Sequence, residues 1–148
     1  MNKIIQHLSI ALLALSTSSF AQSTDSIVII PDHTPTKLRY VVLGGYLVNN
    51  YCYLFNGGSE TDSWFTDLFT VTGPDTFDLN VLIDYVDTQD KCFKLEVYAY
   101  DDNFTLKDTK NVDISVSCEA EQNPWTEETL CKSDTIKLIP SQSEIHIN

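Results

Sequence analysis

Residues 92–100 read C-F-K-L-E-V-Y-A-Y, and from Phe93 onward apolar or small side chains alternate with polar or aromatic ones. Phe93, Leu95, Val97 and Ala99 share one parity, and Tyr98 and Tyr100 belong to the other. A period of two is typical of a β-strand with one buried and one exposed face. The stretch therefore predicts such a strand, with both tyrosines on the side away from the core.

Other stretches also have strand-like sequence. Residues 77–85 and 112–117 alternate in the same way. Residues 26–30 and 135–139 are short runs rich in β-branched side chains, and each is followed by a proline. Because proline cannot donate to a hydrogen-bond ladder, these two runs are predicted to be edge strands or strand ends.

The remaining strand candidates lie between these stretches. Residues 38–48 are apolar but split by Gly44-Gly45, which predicts a bulge or bend. Strands are also expected over 51–55 and 65–72, and only residues 124–130 suggest a helical turn.

This pattern amounts to about eight or nine short strands with almost no helix. It predicts an all-β fold, an antiparallel β-sandwich of the immunoglobulin-like or jelly-roll-like kind. A small β-barrel is the alternative.

The first 21 residues have the pattern of a secretory signal peptide. Lys3 precedes a largely apolar run over 4–15, and Ser19 and Ala21 fit the small-x-small rule for cleavage after Ala21. The apolar run is shorter than the roughly 20 residues that span a bilayer. We therefore expect a bacterial signal peptide over 1–21, a single domain over 22–148, a periplasmic or secreted location, and no membrane insertion after cleavage.

Four cysteines follow the signal region, and an even number in an exported chain predicts two disulfides. Cys92 has the parity of the polar side chains of its strand, whereas Cys118 has the apolar parity of its own. A bridge between these two across one hairpin would therefore need a bulge. We expect Cys52–Cys92 and Cys118–Cys131, while the other two pairings stay open.

The formal net charge of the chain is −12, and removal of Lys3 makes it one unit more negative. A chain this acidic repels polyanions, so nucleic acids and anionic lipid surfaces are poor partners. Basic proteins, metal ions and amine-bearing glycans are favoured by charge.

Residues suited to catalysis are scarce. Beyond the signal region only His33 and His146 are histidines, one near each end of the domain, and there is no Gly-x-Ser-x-Gly motif. The cysteines are assigned to disulfides. Carboxylates are so numerous that no pair stands out as a glycosidase site. We therefore expect no catalytic residues and no enzymatic activity, with a carboxylate-based hydrolase as the third-ranked function.

An acidic turn suggests a metal site. Asp101, Asp102 and Asn103 end the strand quoted above, and Asp108 follows closely. Oxygen-rich loops bind hard cations, so Ca²⁺ is the one cofactor that we consider. The alternative interpretation is a turn rich in Asp and Asn.

Aromatic residues are the other candidates for binding. Parity or position in loops suggests that six of them are exposed: Tyr51, Tyr53, Trp64, Tyr98, Tyr100 and Trp125. Exposed rings stack on sugars and anchor protein interfaces. The expected function is therefore an exported, non-catalytic module that binds a glycan or a protein surface through these rings and an acidic rim. The alternative is an inhibitor or effector that binds a basic protein.

Residues 62–103 also resemble a known family. They contain D-S-W-F-T-D-L-F-T-V-T-G-P-D-T-F-D-L-N-V and end in L-E-V-Y-A-Y-D-D-N. This succession is similar to the pre-peptidase C-terminal type of β-sandwich in secreted bacterial proteins. The resemblance implies a sandwich in an exported protein with a role in ligand contact, and it transfers no functional residues.

Overall fold

The computed structural model describes residues 26–55 and 63–148, and the predicted signal peptide with its cleavage site lies outside these ranges. The described residues form twelve strands, numbered in chain order. They are β1 (Ser26–Pro31), β2 (Thr36–Val48), β3 (Tyr51–Leu54), β4 (Ser63–Phe65), β5 (Phe69–Val71), β6 (Asp75–Asp78), β7 (Lys91–Tyr100), β8 (Leu106–Ser117), β9 (Ala120–Gln122), β10 (Thr129–Cys131), β11 (Lys137–Pro140) and β12 (Glu144–Ile147). Short 3-10 helices cover Leu79–Tyr85 and Ser133–Thr135.

Two sheets form the body of the fold. The larger has seven strands in the order β11-β8-β7-β2-β3, with β4 and β5 also paired to β2. The smaller has the order β12-β1-β6, in which β12 is parallel to β1 and β6 is antiparallel. Strands β9 and β10 form a separate hairpin. The all-β sandwich is confirmed, and the sheets of the described residues do not close into a barrel.

The core lies between these sheets. The smaller sheet contributes Ile27, Ile29, Ile145 and Ile147, all nearly inaccessible to solvent, and they pack with the odd-numbered side chains of β7 over 93–99. Burial of an isoleucine or leucine side chain stabilises a fold by about 1.5–3 kcal/mol. A shift of β7 by one residue would expose all of these odd-numbered side chains, so the alternation of apolar and polar residues along β7 selects one register. The strand predicted over 92–100 is confirmed.

The strand predicted over 77–85 is wrong beyond Asp78. β6 ends there, and the Asp78 carboxylate accepts a hydrogen bond from the backbone N–H of Asn80 at the start of a 3-10 helix. Within this helix Leu79 and Leu82 are buried, at the spacing of three that a 3-10 helix requires, while Val81 is 39% exposed. The sequence is compatible with the period of two of a strand and with the period of three of a 3-10 helix, and the Asp78 cap favours the helix.

The two proline-ended runs behave as predicted, since β1 is central in its sheet but ends at Pro31, and β11 lies at an edge and ends at Pro140. Two smaller predictions fail. Residues 124–126 form a turn, and β10 begins at Thr129 in place of the expected helical turn. Gly44-Gly45 causes no bulge, because β2 pairs with β7 in continuous register through both residues.

Gly45 is instead the point where two strands approach each other across β2. It pairs with Cys92 on β7 and with Leu54 on β3. Cys52 therefore lies on the same face as Cys92, and the two form a disulfide with a Cα–Cα distance of 6.0 Å across the position where residue 45 has no side chain. A second disulfide joins Cys118 to Cys131 at the base of the β9–β10 hairpin. Both preferred pairings are present.

Disulfides persist in oxidising compartments, so the two bridges indicate an extracellular or otherwise oxidising environment. A search of the described residues for a helix long and apolar enough to span a membrane finds none.

We predict that Gly45→Ala destabilises the domain by about 1–3 kcal/mol, because a Cβ atom there would overlap the Tyr53 carbonyl and lie 2.8 Å from the Leu54 Cα. Urea unfolding of the oxidised protein measures the change. Gly73→Ala is the matched control, since a Cβ at Gly73 meets no atom within 4 Å. Equal stability of the two variants would contradict the tight approach of β3 to β2.

A partly buried hydrogen bond links the two sheets. The Tyr40 hydroxyl on β2 donates to the Asp75 carboxylate on β6. Burial, with the hydrogen bond and the charge of Asp75 as smaller causes, raises the pKa of Tyr40 far above its ordinary value. The unfolded chain ionises this tyrosine near its ordinary pKa of about 10, so its contribution to stability is intact below that pH and is lost as the pH rises above it.

We predict that Tyr40→Phe lowers stability near neutral pH by about 1 kcal/mol, the usual net contribution of a hydrogen bond. The variant should also lose less stability than the parent between about pH 10 and 11. Urea unfolding across this pH range measures both effects, with Tyr53→Phe as a control at an exposed tyrosine. Parallel pH profiles for the parent and Tyr40→Phe would refute the assignment.

Candidate ligand-binding surface

One face of the seven-stranded sheet points away from the core, and we call it the outer face. On β7 it carries the even-numbered side chains, including Tyr98 and Tyr100. Register pairs Arg39 of β2 with Tyr98 and Lys37 with Tyr100, so all four side chains lie on this face. They are half-buried or exposed, and none of them is part of the core cluster.

Six side chains gather at the end of the outer face nearest the β7–β8 turn, and we call them the aromatic–cation patch. They are Lys37, Arg39, Phe65, Tyr98, Tyr100 and Phe104. The Arg39 guanidinium carbon lies 5.7 Å from the centre of the Phe65 ring, and the Lys37 ammonium lies 5.6 Å from that of Phe104. Both distances are in the range of cation–π contacts.

The two phenylalanines of the patch remain open to solvent. Phe65 is 62% exposed and Phe104 is 66% exposed. Each ring therefore has a cation nearby and a large surface left for a further contact.

The tyrosines of the patch have a polar setting. The Tyr98 hydroxyl donates a hydrogen bond of 2.9 Å to the Glu96 carboxylate, which restricts the orientation of the ring. Partial burial and, to a smaller extent, this hydrogen bond raise the pKa of Tyr98 above its ordinary value. Tyr98 is therefore a neutral phenol at physiological pH, and it offers a ring edge together with a hydroxyl.

A shallow notch of about 350 Å³ opens beside the patch. Arg39 and Tyr100 line it together with the strand-connecting residues Thr66, Asp67 and Leu68. The notch joins a guanidinium, an aromatic ring and a hydroxyl in one concave surface. Such a combination can bind a polar, ring-shaped group by stacking and hydrogen bonding.

Phe104 occupies an unfavourable backbone conformation in the β7–β8 turn. Its φ of 61° lies in the left-handed region, where this type of turn usually has glycine. The turn is fixed by Asp101, whose carboxylate accepts hydrogen bonds from the N–H groups of Asn103 and Thr105 at 2.8 and 3.0 Å. A bulky residue in this conformation costs about 1–2 kcal/mol, and it places an exposed ring next to Lys37.

A second group of rings lies on the β2–β3 hairpin, and we call it the hairpin cluster. Tyr51 and Tyr53 have their ring centres 4.8 Å apart and are both more than half exposed. Tyr46 and Phe55 pack edge to face, and the buried Lys91 ammonium lies 5.3 and 4.9 Å from their ring centres. This cluster therefore combines two open tyrosines with a lysine held among rings.

The six aromatic residues expected to be exposed do not form one surface. Tyr98 and Tyr100 are in the aromatic–cation patch, and Tyr51 and Tyr53 are in the hairpin cluster. Trp64 packs on the core with its ring centre 5.4 Å from that of Phe77. Trp125 is 90% exposed and lies in the turn between β9 and β10.

Four members of the aromatic–cation patch were not among the sequence candidates. Lys37 and Arg39 follow from the β2–β7 register, which the sequence does not specify. Phe65 is placed by β4, a strand of only three residues, and Phe104 by a turn that usually has glycine at that position. The signal available in the sequence was the parity of Tyr98 and Tyr100.

The three aspartates among the four proposed calcium ligands have partners within the chain. Asp101 binds the backbone of its own turn, and Asp102 lies 3.8 Å from the Lys37 ammonium. The Asp108 carboxylate accepts hydrogen bonds from the N–H groups of Thr109 and Asn148. Within residues 26–55 and 63–148, no three His, Cys, Asp or Glu side chains are grouped to hold a metal ion. Calcium binding stays a prediction.

Comparison of the chain with protein-family models, with curated proteins and with solved structures finds no match. The resemblance of residues 62–103 to the pre-peptidase C-terminal type therefore stays a prediction.

We predict that Phe104→Gly raises stability by about 0.5–1 kcal/mol, because glycine adopts the left-handed conformation without strain but loses more chain entropy on folding. Phe104→Ala is the matched variant, since it also removes the ring but keeps the strained backbone. The midpoint of urea unfolding should therefore be higher for Phe104→Gly than for Phe104→Ala. The reverse order would show that position 104 is not strained.

Proposed function

We propose that this chain is an exported, non-catalytic module that binds a glycan on the outer face of its seven-stranded sheet. The observation that carries the proposal is the aromatic–cation patch, where rings and hydrogen-bonding groups share one open surface. The apolar C–H faces of sugar rings stack on aromatic side chains, and their hydroxyl groups exchange hydrogen bonds with polar ones. Export is supported by the two disulfides, which fit an oxidising compartment.

The outer face extends beyond the patch in a way that suits a chain of sugars. From Tyr100 to Cys92 the strand β7 covers eight residue steps, about 26 Å at 3.3 Å per residue. Glu96 and Lys94 lie along this path, and register places Asn111 and Asp113 of β8 beside them. The path therefore runs from stacking rings to a row of hydrogen-bonding side chains.

The strain at Phe104 adds support. Replacing that residue with glycine would relieve the turn, and within the chain the exposed phenylalanine ring makes a cation–π contact with Lys37. Strained residues at exposed turns are typical of functional sites. Contact between the Phe104 ring and a ligand would account for it.

A second candidate function is the capture of a basic protein through the β9–β10 hairpin. Trp125 is 90% exposed at the turn, and four exposed glutamates surround it in sequence. They are Glu119, Glu121, Glu127 and Glu128. The backbone N–H of Trp125 donates to the side-chain oxygen of Asn123 at 2.8 Å, and the Cys118–Cys131 disulfide closes the hairpin. A rigid loop with one aromatic residue among acids suits a cationic partner.

We predict that Tyr100→Ala weakens binding to the best glycan of an immobilised array by about tenfold, which corresponds to about 1.4 kcal/mol. Loss of a stacking ring should have an effect of this size. Tyr53→Ala is the matched control at an exposed tyrosine of the hairpin cluster and should leave affinity unchanged.

The same array distinguishes the two surfaces. If only Tyr53→Ala weakens binding, the site is the hairpin cluster and the outer-face assignment is wrong. If no glycan binds, while an immobilised basic protein is captured by the parent and lost by Trp125→Ala, the second candidate function replaces the first. Capture of a basic protein should also fall steeply with added salt.

A further inference from the structure

Arg39 is the single arginine of the chain, and its guanidinium has an unusual setting for an acidic protein. The side chain is exposed on the outer face and lies against the ring of Phe65. Among the described residues no carboxylate lies within 4.0 Å of it, although the chain has 21 acidic residues. The guanidinium therefore keeps its hydrogen-bond donors available while the ring restricts its orientation.

Charge is distributed unevenly over the molecule. The side chains that share the parity of the outer face include Lys37, Arg39, Lys94 and Lys137, whereas the acids among them are Glu96 and Asp113. The strand positions of this face therefore carry more positive than negative charge, while Asp67 and Asp102 lie beside them in the connecting segments and the net charge of the chain is −12. Cations placed only to offset acids would pair with them, yet Lys94 and Asp113 lie opposite each other without an ion pair within 4.0 Å in the described structure.

We infer that the ligand of the outer face is an anionic glycan, whose carboxylate or sulfate group is bound by Arg39 while a neighbouring sugar ring stacks on Tyr100. This inference rests on the glycan-binding function proposed above. A guanidinium is planar and presents paired N–H donors that match the two oxygens of a carboxylate or sulfate. Arg39 and Tyr100 line the same notch, so the charged group of one sugar and the ring of its neighbour can contact them together.

The surrounding acids limit where the anion can bind. Asp67 lines the same notch, and Asp102 lies 3.8 Å from Lys37 and offsets its charge. Arg39 is therefore the primary anion contact, and Lys94 extends the positive surface along β7. The other surfaces of the chain are acidic and repel polyanions. The affinity for an anionic glycan therefore depends on whether its charged group reaches Arg39, and not on its charge alone.

The test uses pairs of glycans that differ only in charge. Hyaluronate, alginate and polygalacturonate are compared with their carboxyl-reduced forms, in which each uronate becomes a neutral sugar of the same linkage. Chondroitin sulfate and its desulfated form distinguish sulfate from carboxylate. Isothermal titration of the oxidised protein should show at least tenfold tighter binding to the charged member of one pair.

Variants then locate the anion contact. Arg39→Gln should reduce affinity for the charged glycan at least tenfold and leave the neutral form within about twofold. Lys110→Gln makes the same charge change at an exposed lysine with the opposite parity on β8, and it should leave both affinities within about twofold. Arg39→Lys should retain part of the affinity, since it keeps the charge but not the planar donors.

Four outcomes are decisive. Preference for a charged glycan that depends on Arg39 supports the inference. Equal binding of charged and reduced glycans with loss in Tyr100→Ala overturns it and keeps the proposed glycan-binding function. Equal effects of Arg39→Gln and Lys110→Gln, or binding of poly-glutamate as tight as that of any glycan, would reduce the interaction to non-specific charge and overturn the inference. Binding to no glycan removes both proposals.

Discussion

Strand β7 pairs with β2 on one side and with β8 on the other along nearly its whole length, and this double pairing determines the rest of the structure. Because one face of β7 is buried under the smaller sheet, a slip of one residue would place Lys94 and Glu96 in the core. The burial that selects the register therefore also selects the outer face. Core and candidate ligand surface are two consequences of the same alternation.

The Cys52–Cys92 disulfide shows how this constraint reaches the edge of the sheet. Cysteines on the two neighbours of a central strand would ordinarily be separated by the side chain between them. Glycine at position 45 removes that side chain, so β3 can approach β7 across β2. The turn at Asn49 and Asn50, with φ of 54° and 65°, lets β3 return along β2, because asparagine tolerates the left-handed conformation in a two-residue hairpin.

Sequence reasoning succeeded where the alternation of side chains along a strand agrees with the burial of one face of that strand in the core. Parity predicted the faces of β7, and parity combined with export predicted the disulfides. It failed at residues 79–85, where positions 79, 82 and 85 satisfy a period of three as well as a period of two. It failed again for the patch, since Arg39 and Phe65 reach Tyr98 and Tyr100 only through strand register and a three-residue strand. No local pattern specifies either of these.

The two aromatic surfaces differ in a way that bears on function. In the hairpin cluster the cation is buried among rings, so Lys91 contributes to the packing of the hairpin. In the aromatic–cation patch, Arg39 and Phe104 are both exposed, and the second is held in a conformation that glycine would adopt without strain. A surface that keeps an exposed cation and a strained exposed ring retains features that folding alone does not require. Under the proposed glycan binding, contact of a ligand with the guanidinium of Arg39 and the ring of Phe104 would account for both features.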